Sequence, residues 1–135
     1  MSAATTTAPD RLVRRSREAL TALAVEFLLG MSVNLLPDDG GARVIHSIVL
    51  GLHVLVGIGI VVVGARLLAV ARQEGLAVRE AAWGLAVVTA TLLDGVLTVL
   101  LGNEWLSYVM AAGFLAATLL YVRTLLVGAT ARRAL

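Results

Sequence analysis

The chain contains no cysteine and no lysine among its 135 residues. The first absence excludes disulfide staples, thiolate metal sites and thiol redox chemistry. The second excludes Schiff-base chemistry and any retinal-type attachment; all eleven basic residues are arginine. Charge is scarce as well: 15% of residues are charged, where a soluble domain carries about 25%. Chemical motifs are missing too. There is no P-loop, dinucleotide glycine fingerprint, di-iron Glu-x-x-His pair or nucleophile-elbow serine. The chain is therefore expected not to be an enzyme.

What is present is apolar. Hydrophobic residues make up 59% of the chain, and the mean hydropathy is +0.93. Runs of roughly 18 or more residues with few charges read as transmembrane helices. Four such runs stand at 19–36, 44–66, 81–102 and 105–127. The expected fold is all-α: a polytopic four-transmembrane-helix bundle occupying residues 19–127. Residues 1–18 form a disordered and basic N-terminus, in which Asp10 caps a short turn holding Arg11, Arg14, Arg15 and Arg17. Residues 128–135 form a short tail. The first run is too long for a signal-peptide core, is interrupted by Glu26, and precedes no cleavage site, so it reads as a retained helix. Pro37 and the Asp38-Asp39-Gly40-Gly41 run end it. Trp105 is placed as an interfacial anchor.

The isoelectric point near 9.9 does not indicate nucleic acid, because the arginines cluster at helix ends, where they meet anionic headgroups. With the N-terminus inside, ten arginines fall on the cytoplasmic side and only Arg43 on the other. That asymmetry predicts an N-in, C-in arrangement. The expected partner is the lipid bilayer, with no nucleic acid. A homo-oligomer through the small-residue face of helix four (Ala112/Ala116, Gly113/Ala117) is the expected self-contact.

Three helices carry one ionisable residue each at matching depth. Counting about 1.5 Å per residue from the helix ends, Glu26, His53 and Asp94 sit roughly 12–15 Å deep, near the bilayer centre. Charge there is costly, and intramembrane ionisable groups mark functional sites by default. A carboxylate and an imidazole can share a proton, which offsets part of the desolvation. The competing reading is that such residues only glue helices together. A second polar layer comprises Asn34, His46, Thr98, Ser107 and Tyr108. Helical spacing stacks His46 and His53 on one face of helix two, with Gly57 and Gly64 continuing the stripe. It groups Thr91, Asp94 and Thr98 on helix three. Met31 and Met110 read as core filler. The metal-ligand candidates are His53 and His46, without a specific spacing signature.

Length, four helices and a first-helix glutamate resemble the small multidrug resistance transporters. The other motifs of that family are missing. Its members work as antiparallel pairs, which the arginine asymmetry opposes. The strings Glu26–Leu35 (EFLLGMSVNL), His53 to Gly57 (HVLVG) and Ser107–Phe114 (SYVMAAGF) resemble small uncharacterised four-helix membrane proteins of high-GC bacteria. That resemblance implies a multi-pass protein of the bacterial cytoplasmic membrane and no function. His53 before Gly57 also resembles four-helix b-type haem proteins. Those take a second histidine from another helix, whereas both histidines here lie on helix two. His46 with Met31 or Met110 is the alternative ligand pair for haem b.

Three functions fit this sequence. The first is transport or conduction of protons, or of a small solute coupled to them, through Glu26, His53 and Asp94. The second is haem or metal binding for electron transfer or sensing. The third is an accessory subunit of a membrane complex.

Overall fold

The computed structural model describes residues 7–102 and 104–134, with Glu104 as backbone alone. Residues 1–6, expected to lack structure, lie outside that range. Four helices follow in order: α1 (Ala8–Leu35), α2 (Arg43–Glu74), α3 (Val78–Leu101) and α4 (Glu104–Arg133). All four are long and apolar enough to cross a membrane. A short 3₁₀ turn, Gly40–Ala42, precedes α2.

Helix ends follow local chemistry. Pro9 occupies the first turn of α1, where its missing N–H costs nothing. The Thr7 hydroxyl donates to Asp10 Oδ2 at 2.7 Å. At the other end Leu36 is extended, as a residue before proline must be. Gly75 and Gly102 close α2 and α3 in the left-handed conformation.

The helices overrun their apolar stretches. The expected start near 19 moves to Ala8, because the basic segment is amphipathic: Leu12, Val13, Ser16 and Ala19 are buried on one side while the arginines face out. Residues 8–18 are thus part of the bundle and not a disordered leader. Likewise α2 runs to Glu74, carrying Arg66 and Arg72 on the helix, and α4 continues through most of the expected tail to Arg133. Arginine is a good helix former, so nothing stops propagation at the hydrophobic boundary.

The helices alternate in direction. α1 packs on α2 and α4, and α3 packs on the same two, while among the described residues the backbones of the diagonal pairs stand farther apart. Both chain ends and the α2–α3 link share one end of the bundle, here the terminal end. The other two connections form the loop end.

Packing is unequal along this axis. The fully buried side chains Leu12, Ser16, Leu67, Tyr121 and Thr124 all belong to the terminal half. One layer, Leu23, Ile60, Val88 and Ala117, supplies a buried residue from each helix and closes this core toward the loop end. One turn below Ala117, Tyr121 is 0% exposed. Its ring fills a notch where a Cβ on Gly84 would overlap it and a Cβ on Gly64 would lie 2.5 Å from its hydroxyl. Glycine at both positions is what admits the ring between the helices.

Candidate intramembrane site

Above that layer the helices diverge around a cavity of about 330 Å³, lined by all four. Its floor is the Leu23, Ile60, Val88 and Ala117 layer; Asn34, Thr98 and Ser107 line it near the loop end.

Glu26 and His53 meet here. Oε1 of Glu26 lies 3.2 Å from Nδ1 of His53, and the side chains are 15% and 18% exposed. The atoms are at ion-pair distance without hydrogen-bond geometry, and Oε2 of Glu26 is buried without a partner. Two glycines make the approach possible. A Cβ on Gly57 would sit 3.0 Å from Glu26 Oε1, and one on Gly30 would sit 3.2 Å from His53 Cε1. Each polar side chain therefore lies over a glycine of the helix opposite. Matching depth on adjacent antiparallel helices is what brings the pair together.

Asp94 is not part of this arrangement. It lines no part of the cavity, and its Oδ2 is buried without a hydrogen-bond partner. Depth was right and azimuth was not. Successive residues turn by about 100°, so Asp94 lies about 60° from Thr91, on the side away from Leu92. Thr91 packs against Gly113 of α4, and Leu92 faces Gly57 of α2. The cavity face of α3 is Thr91, Gly95 and Thr98, with Asp94 beyond the α4 contact.

The second layer divides the same way. Asn34, Thr98 and Ser107 line the cavity, whereas His46 and Tyr108 do not. Tyr108 is exposed and its ring lies 5.6 Å from that of Trp105, in a tilted pair. With His46 outside, the cavity does not assemble His46 with Met31 or Met110. Among the described residues, no group of three or more His, Asp or Glu side chains could hold a metal ion.

Three further features differ from the sequence reading or add to it. Met31 and Met110 are not core filler: both line the cavity, and Met31 is 44% exposed. Phe27 and Phe114 form a wall of the cavity with ring centroids 5.3 Å apart. Gly113 and Ala117, expected on an outer face of helix four, pack inside the bundle. Only the Ala112 edge of that small-residue patch remains outside.

The class the fold defines is a four-helix bundle of membrane-spanning type with a largely apolar cavity that holds one carboxylate and one imidazole. No family model matches the chain, and no curated protein or solved structure matches it.

Proposed function

We propose that this protein is a small carrier of the bacterial cytoplasmic membrane that binds a solute in the four-helix cavity and exchanges it against a proton held by Glu26 and His53. The observation that carries this reading is the 3.2 Å approach of the carboxylate to the imidazole inside a cavity bounded by every helix. A carboxylate beside an imidazole can hold one proton between them, and an arriving solute group that engages either side chain releases it. Among the described residues, no other ionisable side chain lines the cavity, from α1, α2, α3 or α4.

The cavity is closed toward the terminal end. The Leu23, Ile60, Val88 and Ala117 layer and the Tyr121 ring block the way to the terminal end. Free conduction is thereby disfavoured, and a carrier that rocks between two openings fits better. The arginine asymmetry supports N-in, C-in insertion, so the cavity would face outward here.

The test is proton movement in liposomes containing a trapped pH-sensitive dye. Wild type releases a pH gradient when a transported solute is added. Glu26→Gln and His53→Gln abolish the release while retaining the helical circular-dichroism spectrum. Asp94→Asn keeps most of it. Loss in the Asp94 variant together with normal rates in the Glu26 and His53 variants would overturn the assignment.

A further inference from the structure

We infer that the cavity is a binding site for a soft monovalent metal ion, Cu(I), with His53, Met31 and Met110 as ligands and Glu26 as the carboxylate behind the histidine. This goes beyond the carrier reading: it requires that His53 be a ligand, not that anything move.

The argument rests on level, donor type and the Glu26 contact. Four close approaches, at three glycines, fix the relative heights of the helices. Glu26 and Leu92 both bear on Gly57, Gly30 bears on the His53 ring, and Gly95 bears on Met110 Sδ. From Gly57, His53 is four residues toward the loop end, about 6 Å along α2. From Leu92, Gly95 is three residues the same way, about 4.5 Å along α3. Met110 sits opposite Gly95, and Met31 follows Gly30, which faces His53. One imidazole and two thioethers therefore occupy nearly the same height in one cavity, from three different helices. Methionine is unbranched and flexible, so both sulfurs can converge.

Donor chemistry selects the ion. Thioether sulfur prefers Cu(I), and imidazole accepts it, whereas magnesium, calcium and manganese demand oxygen. The remaining polar lining, Asn34, Thr91, Thr98 and Ser107, supplies no anionic donor. Metal-binding histidines almost always direct their other ring nitrogen to a carboxylate or carbonyl, which fixes the ring and raises its basicity. His53 Nδ1 lies 3.2 Å from Glu26 Oε1, at ion-pair distance, so the carboxylate stands beside one ring nitrogen and Nε2 is left for the metal.

The experiment is a Cu(I) titration of the detergent-purified, reduced chain against a chromogenic Cu(I) chelator, with X-ray absorption on the loaded protein. The expected result is one ion per chain and an inner shell of one nitrogen and two sulfurs. Met31→Leu and Met110→Leu, which conserve volume, each lower affinity at least tenfold, and Glu26→Gln lowers it about 10–100-fold. His46→Ala leaves it unchanged. An absorption spectrum without sulfur, wild-type affinity in either methionine variant, or no binding above the chelator would each overturn the inference. Failure of proton exchange in liposomes would leave these outcomes untouched, so the two readings fail separately.

Discussion

Glu26 of α1 reaches across to Gly57 of α2, where a Cβ would stand 3.0 Å from its Oε1. The carboxylate keeps its place beside His53 because that helix face is bare backbone. Packing and chemistry meet at this position: the glycine that lets the helices close also sets the distance between the two ionisable groups.

Gly57→Ala is expected to hurt function more than stability. The added methyl would sit 3.0 Å from Glu26 Oε1 and 3.2 Å from Leu92 Cδ1, both ends of side chains that can shift, so unfolding should change by about 1 kcal/mol. Swinging aside moves the carboxylate from His53, and proton exchange should fall at least tenfold. Gly30→Ala presses on the imidazole at 3.2 Å and should behave similarly. Thermal unfolding and liposome proton flux, measured on the same preparations, check both. Equal loss in stability and flux would mean that the glycines serve packing alone.

At the terminal end, Arg11 Nη2 lies 2.6 Å from Glu74 Oε1 and ties the start of α1 to the end of α2. The exposures differ: the Arg11 side chain is 48% exposed and that of Glu74 only 8%. Removing the arginine strands a nearly buried carboxylate, whereas removing the acid returns the arginine to water. Arg11→Gln should therefore cost more, about 1–2 kcal/mol, and Glu74→Gln about 0.5 kcal/mol, both less at high salt. Chemical unfolding in detergent at two ionic strengths measures this. The reverse order would show that the pair does not tie the helices.

Orientation is open to a direct test because the natural chain has no cysteine. Asp39→Cys places a thiol in the α1–α2 connection, and Thr130→Cys places one near the end of α4. With N-in, C-in insertion, a membrane-impermeant maleimide labels the first in intact cells and the second only after permeabilisation. The opposite pattern would invert the bundle and turn the cavity mouth inward.

Span number and class were legible because hydropathy over 18 or more residues is set by the bilayer, not by neighbouring helices. Depth was legible too, since it follows from counting residues, and it paired Glu26 with His53 correctly. Azimuth was not. Asp94 shares their depth but not their direction, and a small error in helical phase suffices to move a side chain out of a cavity. Helix ends were misjudged at Ala8 and Arg133 because arginine continues a helix that hydropathy would end. The methionines were read as filler or as partners of His46; which histidine shares their level, His53, depended on the relative heights of the helices.

Tyr121 yields the last prediction. Its hydroxyl is buried without a hydrogen-bond partner, and its ring is held between Gly64 and Gly84. An unmet buried hydroxyl costs stability, so Tyr121→Phe should raise it by about 1–2 kcal/mol. Gly84→Ala should lower it by about 1–3 kcal/mol, because the methyl would overlap an aromatic ring that cannot yield. If the terminal end must open during transport, the hydroxyl finds its partner in that second conformation. Tyr121→Phe would then stabilise the protein and slow solute exchange together, a combination that a purely structural tyrosine would not produce. Thermal unfolding and liposome exchange rates of this variant distinguish the two. A gain in stability with an unchanged rate would make Tyr121 part of a fixed floor.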